Sequence, residues 1–464
     1  MLAKDKIFRE YDIRGTVDVD FDAAFAKELG RAFASEVLGA ESGATPTVAV
    51  GSDCRLSGPT LTASLIEGLT EGGLNVIRTG VGPTPQLYYT VFTKKLAGGI
   101  QVTGSHNPAD QNGFKMMIGL KTLSGNDIQS LRKIVTEGSA RVVPQELRGS
   151  VEDFDARSVY TKELIERSKP FMGSIKKLKV VTDAGNGVGG LVGPEMLRQL
   201  GCEVIEMYSE PDGRFPNHHP DPTELKNIVE LRARVVSEKA DLGIGWDGDA
   251  DRIGVVNELG EPVFGDMLLV LFGRQLLKEV EAPTIIADVK CSELFFSDMK
   301  SRGANAVMSK TGHSLIKAKL KELHAELAGE MSGHIFFAHR YYGFDDAMHA
   351  SARLVEILSH TKESLSSLLG DLPKTVSTPE LRIDCADEIK FEVVAKAQNA
   401  FKEFDTNTID GVRITFSHGW GLVRASNTQS ALVMRFEADT EARLKEYQKL
   451  VEDRVTKLTK ELSL

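Results

Sequence analysis

The feature that most constrains the fold of this 464-residue chain is a weak internal repeat that occurs three times. Each copy has the same order: an apolar strand with a polar end, a helix-length stretch, a second strand after glycine, and a glycine-rich third strand that ends in a polar loop. Short β-branched runs that alternate with helix-length stretches are typical of βαβ units. The repeat therefore predicts an α/β fold with three similar domains, each built on a parallel or mixed sheet.

The three copies can be followed directly in the sequence. The first contains TPTVAVGSDCRLSG, GGLNVIRTG and LAGGIQVTGSHNP, and the second contains LKVVTDAGNGVGG, LGCEVIEMYSE and KADLGIGWDGDADR. The third contains APTIIADVKCSE, RGANAVMSK and LHAELAGEMSGH. The third strands end in equivalent polar loops, which are TGSHNP, DGDADR and GEMSGH. Because ligands bind beyond the carboxyl ends of strands in such sheets, we expect these loops to converge on one central cleft.

The region after about residue 371 departs from the repeat. The segments LRIDCADEIKFEVVAKAQ, TIDGVRITFSHGWGLVRASN and SALVMRFEAD alternate strand-like and helix-like stretches, and a charged helix is predicted over 440–464. These features predict a smaller C-terminal α+β domain. To within several residues, we expect the four domains to span 1–153, 154–257, 258–370 and 371–464.

Composition narrows the class of partner. A formal net charge of −10 disfavours nucleic acid and anionic lipid as partners, and a chain this acidic would need a locally positive pocket to bind any anion. The chain has no apolar signal segment and no apolar run of about 18 residues, so we expect a cytoplasmic protein without a membrane span. Four widely spaced cysteines lack metal-ligand spacing and predict free thiols; they are Cys54, Cys202, Cys291 and Cys385.

The loop DGDADR carries three alternating carboxylates, Asp247, Asp249 and Asp251, directly after a strand-like segment. Clustered carboxylates repel one another unless a cation neutralises them, and magnesium or calcium is the natural partner for oxygen ligands. The loop could instead be a solvated acidic turn. It could also be an EF-hand, with Glu258 at loop position 12, but Arg252 stands where that loop needs glycine. A magnesium-type metal site is the favoured interpretation.

The loop TGSHNP presents a serine hydroxyl in a turn bracketed by Gly104 and Pro108. A hydroxyl on such a turn is a nucleophile if a neighbouring group activates it, which makes Ser105 a candidate nucleophile. The alternative is that Ser105 or Asn107 only caps the turn. Lys115 follows in the segment QNGFK, and its ammonium would stabilise charge that develops beside a phosphorylated serine.

Two further loops carry groups that suit a phosphosugar. GEMSGH offers Glu330, Ser332 and His334, whose hydrogen-bonding groups suit sugar hydroxyls, although a glycine-rich turn with a satisfied histidine is an alternative. GLVRASNTQ combines an arginine with hydroxyl, amide and backbone donors, so it predicts an anion site as readily as a simple turn. Its candidate donors are Arg424, Ser426, Asn427 and Thr428. The phosphate-binding pattern GxxxxGK[ST] is absent from the sequence.

Together these loops resemble the α-D-phosphohexomutase family, and within it the bacterial phosphomannomutase/phosphoglucomutase group. The shared motifs run in family order over essentially the whole chain: REYDIRG, TGSHNP, NGFK, DGRFPNHHPDP, DGDADR, DVKCS, TGHS, GEMSGH and RASNT. Nine motifs in order are far more specific than any one of them. The resemblance implies four domains around one cleft, with the fourth domain as a lid.

The resemblance also implies roles for individual residues. Ser105 would be the serine phosphorylated in the active enzyme and would hold one Mg²⁺ together with Asp247, Asp249 and Asp251. The side chains implied at the transfer site are Arg14, Lys115 and Arg252. Those implied to contact the sugar or line the cleft are Lys290, His313, Glu330, Ser332 and His334. The fourth-domain loop that would bind the non-reacting phosphate comprises Arg424, Ser426, Asn427 and Thr428.

The activity that the resemblance implies is reversible conversion of hexose 1-phosphate into hexose 6-phosphate, with hexose 1,6-bisphosphate as intermediate and activator. Met331 in the sugar loop favours mannose or glucose, and phosphoglucosamine mutase is an alternative. A metal-dependent sugar phosphatase and a catalytically silent sugar-phosphate binding protein are further candidates. The general base is left open between Lys115 and a cleft histidine. We expect a small-molecule phosphosugar as partner and a monomer or weak homo-oligomer.

Overall fold

The computed structural model of the protein describes residues 1, 3–40, 45–426 and 430–462. Within these ranges, the strands form four sheets that follow one another along the chain. The first three sheets share one arrangement of four strands, in which three parallel strands are followed by an antiparallel one. The fourth sheet is antiparallel. The predicted fold class, three similar mixed-sheet α/β domains and a smaller C-terminal α+β domain, is confirmed.

The first sheet is built from the first repeat and the segments on either side of it. Its strands are β1 (Ile13–Thr16), β2 (Thr47–Ser52), β3 (Asn75–Val81), β4 (Gly98–Val102), β5 (Gln111–Ile118), β6 (Lys121–Thr122) and β7 (Val151–Asp153). The helices are α1 (Ala23–Ala40), α2 (Gly58–Glu71), α3 (Thr84–Lys94) and α4 (Asn126–Glu137). The strand order is β1-β5-β4-β2-β3-β7, and β6 pairs with β5. The core of this order, β3-β2-β4-β5, recurs in the next two domains.

The second and third sheets repeat that core. The second contains β8 (Lys179–Asp183), β9 (Glu203–Met207), β10 (Leu242–Trp246), β11 (Ile253–Asn257) and β12 (Pro262–Val263), in the order β12-β11-β10-β8-β9. The third contains β13 (Thr284–Asp288), β14 (Asn305–Ser309), β15 (Leu327–Gly329) and β16 (Ile335–Phe337), in the order β14-β13-β15-β16. Their helices are α5 (Ala156–Ser168), α6 (Gly193–Gln199), α7 (Val229–Glu238), α8 (Gly265–Leu276), α9 (Glu293–Ser301), α10 (His313–Leu323), α11 (Ala347–Ser359) and α12 (Leu365–Leu368).

The fourth sheet has a different topology, as the change in sequence pattern predicts. Its strands are β17 (Val376–Ser377), β18 (Leu381–Asp384), β19 (Asp405–Asn407), β20 (Val412–Phe416), β21 (Gly419–Ala425) and β22 (Ala431–Ala438). Strand β22 pairs with β17, β18 and β21. Helices α13 (Lys390–Ala400) and α14 (Glu441–Leu462) complete the domain. Helix α14 is mostly polar because only a narrow stripe of it, Leu444, Val451 and Val455, is buried.

The buried hydrophobic residues form several cores, and these cores show which domains pack against one another. In β2, Val48 and Val50 enter a core within the first domain, whereas Ala49 enters a core shared by the first three domains. The fourth domain has its own core and meets the third through a small cluster around Trp420. Among the described residues, the first three domains therefore share one apolar core. The fourth shares a small apolar cluster with the third and also meets it through buried hydrogen bonds, such as those of Arg413 and Arg435.

The expected domain boundaries can be compared with the residues at which the sheets end. Strand β12 continues the second sheet to Val263, a few residues beyond the expected boundary after Asn257. We propose the ranges 1–153, 154–257, 258–370 and 371–464 as the four domains, with β12 as an extension of the second sheet. The four cysteines are free, as the sequence predicts. Among the described residues, no helix is long and apolar enough to cross a membrane.

Candidate active site

The three polar loops occupy equivalent positions and touch one another. Each connects the third parallel strand of its domain to the antiparallel strand beside it: β4 to β5, β10 to β11 and β15 to β16. A side chain at Gly248 would bring its Cβ within 2.3 Å of the Ser105 carbonyl oxygen, so the first two loops pack backbone against backbone. Arg252 and His334 form a β-bridge that joins the second loop to the third. The expected convergence of the three loops is therefore present.

Ser105 lies at the centre of this convergence and is completely buried. Its φ of 49° places it in the left-handed region, where a residue with a side chain is strained. The hydroxyl Oγ donates to Asp247 Oδ2 at 2.7 Å and lies 3.1 Å from His106 Nδ1. The hydroxyl of the first repeat thus meets the acidic loop of the second.

The acidic loop forms a buried cluster of charge. Asp247, Asp249 and Asp251 are all fully inaccessible to solvent. Lys115 projects from β5 into this cluster, where its Nζ donates to Asp249 Oδ2 at 2.7 Å and also contacts Asp251 Oδ2. Asp247 Oδ1 accepts the backbone N–H groups of Asp251 and Arg252, each at 3.1 Å. These bonds fix the loop without using all of its carboxylate oxygens.

The charges of the cluster shift its pKa values in opposite directions. Burial, together with the charges of Asp249 and Asp251, raises the pKa of Asp247 well above its ordinary value. Burial alone would also raise the pKa of Asp249, but the Lys115 ammonium outweighs it and holds that pKa below the usual range. The negative charge of the three carboxylates therefore exceeds what Lys115 can neutralise. An additional cation would reduce the repulsion between the carboxylates.

The free oxygens of the cluster fit a divalent cation. Asp249 Oδ1 and Asp251 Oδ1 are buried and accept no hydrogen bond from the part of the chain that the structure describes. One ligand oxygen from each of Asp247, Asp249 and Asp251 lies within 4.8 Å of the others. Converging carboxylates, two of which keep a buried oxygen that accepts no hydrogen bond within the described residues, suit a hard cation such as Mg²⁺. The residues present therefore fit the predicted metal.

The third loop brings its histidine against the acidic cluster. Arg252 Nε donates to His334 Nε2 at 2.9 Å, so Nε2 is the acceptor nitrogen of this ring. Nδ1 is 3.2 Å from Asp345 Oδ2, and the ring stacks on His313 with centroids 5.6 Å apart. Burial, reinforced by the Lys317 ammonium, holds the pKa of His313 well below its ordinary value. The two stacked histidines form one buried wall of the site.

The remaining cleft residues of the third domain contact neighbouring loops. Glu330 Oε1 accepts the backbone N–H of Gly312 at 2.6 Å, and Glu330 Oε2 accepts the Ser332 hydroxyl at 3.3 Å. Lys290 Nζ donates to Glu380 Oε2 of the fourth domain at 3.1 Å. Glu330, Ser332 and Lys290 thus have protein partners with which a ligand would have to compete.

The predicted anion loop of the fourth domain is described in part. Arg424, at 5% exposure, donates from Nε to Asp410 Oδ2 at 3.0 Å. Ser426 is also buried, and its backbone N–H donates to Ala431 O at 2.9 Å. Asn427 and Thr428 lie outside the described residues. Through Asp410, Arg424 is linked to the third domain, because Asp410 Oδ2 also accepts the N–H of Thr311 at 3.0 Å.

Arg14 reaches the serine loop from β1. Its Nε donates to Asp12 Oδ2 at 2.6 Å, and its terminal nitrogen donates to Asn107 Oδ1 at 3.2 Å. Cationic side chains therefore approach the cleft from every domain, although the chain as a whole is acidic. They are Arg14, Lys115, Arg252, Lys290 and Arg424. Cations that could pair with an anionic substrate are therefore present, although each already has a partner within the protein.

Comparison with known proteins places the chain in a family. Residues 5–141, 158–260 and 264–376 match the models described as phosphoglucomutase/phosphomannomutase, alpha/beta/alpha domains I, II and III. Residues 380–454 match the phosphoglucomutase/phosphomannomutase C-terminal domain. The chain belongs to this family.

Individual members of the phosphoglucomutase/phosphomannomutase family are similar over nearly the whole chain. A phosphomannomutase/phosphoglucomutase from Pseudomonas putida is 44% identical over 462 residues, which cover 99% of this chain and 97% of the relative. A phosphoglucomutase from Neisseria meningitidis is 42% identical over 452 residues, 96% of each chain. The crystal structure of a phosphoglucomutase/phosphomannomutase family protein from Burkholderia thailandensis has a TM-score of 0.90 at 38% identity, with 98% of both chains covered.

Among the residues of the site that were not predicted from the sequence are Tyr11, Thr84 and Asp345. Thr84, at the start of α3, donates its backbone N–H to the Asp249 carbonyl at 2.9 Å and also contacts the Asp249 carboxylate. The Tyr11 hydroxyl donates to Thr311 O at 2.7 Å and so links the first domain to the third. Tyr11 lies within the motif REYDIRG and could have been found there. Asp345 follows no recognisable motif, and only the fold brings it to the two histidines.

Proposed function

We propose that the protein interconverts hexose 1-phosphate and hexose 6-phosphate, and that Ser105 carries the transferred phosphoryl group. The observation that supports this most directly is the 2.7 Å hydrogen bond from Ser105 Oγ to Asp247 Oδ2. A candidate phosphate carrier and a candidate cation site are thereby close enough to share one phosphate. Family membership supports the same reaction class.

The metal is proposed to be one Mg²⁺ per chain, held by Asp247, Asp249, Asp251 and the phosphoserine at position 105. When bound there, magnesium would neutralise the carboxylates and stabilise charge on the phosphoryl oxygens. Two carboxylate oxygens that accept no hydrogen bond within the described residues, Asp249 Oδ1 and Asp251 Oδ1, support this assignment. Lys115 supplies the fixed positive charge beside them.

The reaction is a displacement at phosphorus. The bond between Ser105 Oγ and phosphorus breaks while a free hydroxyl of the hexose monophosphate forms the new one, and a hexose 1,6-bisphosphate results. The intermediate then turns within the cleft, and Ser105 Oγ takes the other phosphoryl group. Phosphoryl transfer mainly requires positioning and charge stabilisation. Lys115, Arg14 and Arg252 are placed to supply the second.

Substrate holding is assigned to the third and fourth domains. Glu330, Ser332 and His334 would bind sugar hydroxyls, and Lys290 and His313 would line the same cleft. The non-reacting phosphate would bind the loop that contains Arg424, Ser426, Asn427 and Thr428. A separate phosphate grip suits a substrate that must be released and recaptured while it turns. It also favours a mutase over a phosphatase, which has no need to hold a second phosphate.

Mannose and glucose phosphates are proposed as the substrates. The relative from Pseudomonas putida is named phosphomannomutase/phosphoglucomutase, and the relative from Neisseria meningitidis is named phosphoglucomutase. Hexose 1,6-bisphosphate is proposed to activate the enzyme by phosphorylating Ser105. The proton of the attacking hydroxyl requires an acceptor. Lys115 is an ammonium held by Asp249 and Asp251, which leaves the cleft histidines His313 and His334 as the proposed acceptors.

The test compares Ser105→Ala with Ser130→Ala, which changes an exposed serine on α4 of the same domain. With glucose 1-phosphate or mannose 1-phosphate, Ser105→Ala should lose turnover by at least about 1,000-fold, whereas Ser130→Ala should match the wild type. Intact-mass measurement should show one phosphoryl group on the wild type after hexose 1,6-bisphosphate is added, and none on Ser105→Ala. Normal turnover by Ser105→Ala would remove Ser105 from its proposed role.

A further inference from the structure

A fully buried arginine lies beneath the serine loop and takes no direct part in the proposed transfer. Arg55 belongs to the connection between β2 and α2, and its side chain has no exposed surface. We infer that Arg55 is the positioning residue that holds the phosphate-carrier loop, and with it Ser105, in the geometry needed for transfer. The inference rests on the proposed function of Ser105.

The guanidinium of Arg55 uses its whole set of donors on this small region. An arginine side chain has five N–H donors in a rigid planar fork. Nε donates to Asp53 Oδ2 at 3.1 Å, and one terminal nitrogen donates to Gln111 O at 2.8 Å and also to Pro108 O. The other terminal nitrogen donates to Ser105 O at 2.8 Å and to Asn107 O at 2.5 Å. A single side chain therefore binds four carbonyl groups of one loop.

Asp53 holds the same loop from the other end. Its Oδ2 accepts the Thr103 hydroxyl at 2.7 Å and the Gly104 N–H at 3.2 Å, and its Oδ1 accepts the Arg55 N–H at 2.9 Å. Thr103 Oγ1 in turn accepts the Ser105 N–H at 2.8 Å. The backbone on both sides of the serine is thus bonded to one buried ion pair.

The serine loop needs such support because its conformation is costly. Ser105 has a positive φ of 49°, a strained conformation for a residue with a side chain that persists only when the surroundings enforce it. The backbone at Gly104 packs directly on Arg55, since a Cβ there would lie 2.6 Å from the guanidinium carbon. Glycine at 104 and arginine at 55 therefore form one complementary fit.

Lysine cannot replace Arg55 in this position. Its ammonium has three donors at most and lacks the planar fork that reaches four carbonyls and a carboxylate together. Phe215 of the second domain covers the guanidinium, with its ring centroid 5.1 Å from the arginine carbon. The carrier loop is therefore fixed from the first domain and closed off by the second.

The first test is Arg55→Lys, with Arg353→Lys as the matched control. Arg353 is also buried, but it lies on α11 and pairs with Glu356. For Arg55→Lys we expect kcat to fall about 10- to 100-fold. Its KM for hexose 1-phosphate should stay within about twofold, because the phosphate grip is untouched. Phosphorylation of Ser105 by hexose 1,6-bisphosphate, followed by intact mass, should slow by the same factor. Arg353→Lys should keep the wild-type kcat.

The second test leaves Arg55 in place and disturbs its fit. Gly104→Ala adds one methyl group against the guanidinium, whereas Gly39→Ala adds one where no atom lies within 4 Å. Gly104→Ala should lower kcat at least about tenfold and Gly39→Ala should not. In the double variant Arg55→Lys/Gly104→Ala, the two losses of kcat should not add, because both substitutions disturb the same contact between residues 55 and 104. The circular dichroism spectrum and the Tm of each variant show whether it is folded.

The outcomes separate this inference from the proposed function. Wild-type kcat in folded Arg55→Lys, or in Gly104→Ala, would overturn the role of Arg55. So would a fall in kcat that is matched by an equal rise in KM. If Arg55→Lys does not fold, the comparison of Gly104→Ala with Gly39→Ala decides. If Ser105→Ala itself turns over normally, it is the proposed carrier role that fails, whatever the Arg55 variants do.

Discussion

Arg424 donates from Nε to Asp410 Oδ2 at 3.0 Å, and the same carboxylate oxygen accepts the N–H of Thr311 in the third domain. The Asp410 carboxylate therefore binds Arg424 as an anionic ligand would. The arginine proposed to grip substrate phosphate is ordered by an acidic partner that also ties the fourth domain to the third. Phosphate binding would have to compete with this carboxylate.

Arg424→Met tests the phosphate grip. Loss of a charged hydrogen bond costs about 1.5–3 kcal/mol, which corresponds to a rise in KM of about 10- to 100-fold or somewhat more. We expect kcat to change little, because the grip holds the end of the substrate that does not react. Arg443→Met, which changes a surface arginine on α14, is the control. Steady-state kinetics with glucose 1-phosphate measure both constants, and an unchanged KM would contradict the assignment.

Asp410→Asn tests the competition. Asparagine keeps an oxygen that can accept from Arg424 and Thr311, but it removes a negative charge beside the proposed phosphate position. We expect KM to fall about 2- to 5-fold at low ionic strength, since a partly exposed charge interaction is worth about 1 kcal/mol. The effect should shrink when salt is added, because salt screens the repulsion. A higher KM in Asp410→Asn would show instead that the carboxylate helps to form the grip.

Lys115→Met separates metal binding from transfer. The ammonium contacts two of the three carboxylates, so it competes with a cation for them. Its removal should tighten binding of Mg²⁺ or Mn²⁺, yet kcat should fall about 100- to 1,000-fold because a fixed charge beside the reacting phosphate is lost. Titration calorimetry with Mn²⁺ and steady-state assays report the two effects. Lys121→Met, at an exposed lysine of β6, is the control, and weaker metal binding by Lys115→Met would refute this account.

The sequence predicted the parts of the site that local pattern determines. Strand periodicity and glycine placed TGSHNP, DGDADR and GEMSGH at the ends of equivalent strands, and parallel sheets bring such ends to one edge. The shared order of the first three sheets follows from the repeat for the same reason. The clustering of Asp247, Asp249 and Asp251 required only their alternation in one loop.

Contacts between segments far apart in the chain could not be predicted in the same way. Asp410 and Glu380 carry no motif, and each bonds to a residue of the third domain, Asp410 to Thr311 and Glu380 to Lys290. Arg55 lies in the segment GSDCRLSG, whose pattern indicates only the end of a strand. Its importance depends on the return of residues 105–111 over its guanidinium. Such encounters follow from packing, which sequence pattern alone does not specify.

Removal of metal should change stability as well as activity. The three carboxylates are buried together with one lysine, so a bound divalent cation should raise Tm by mass action. We expect EDTA to abolish turnover and Mg²⁺ to restore it, and we expect Mg²⁺ to raise the Tm of the wild type. Asp249→Asn should lose most of this rise, whereas Asp153→Asn, at an exposed residue of β7, should keep it. Scanning calorimetry with and without Mg²⁺ measures the shift, and an equal shift in both variants would place the cation elsewhere.

Asp346 gives a prediction for pH. It is buried at the start of α11, where the hydroxyls of Tyr160 and Tyr341 donate to its carboxylate at 2.8 and 2.6 Å. Burial raises the pKa of Asp346 from 3.8 to about 6, and these hydrogen bonds offset only part of that rise.

The folded state therefore binds the extra proton between those two values, and stability falls as pH rises through that window. The loss is at most about 3 kcal/mol, since one pKa shift of one unit corresponds to about 1.4 kcal/mol. Asp346→Asn cannot ionise and escapes this loss. Its Tm relative to the wild type should therefore increase between about pH 4 and about pH 7. Asp153→Asn serves again as the control. A difference in Tm that stays constant over this range would show that Asp346 is ionised throughout.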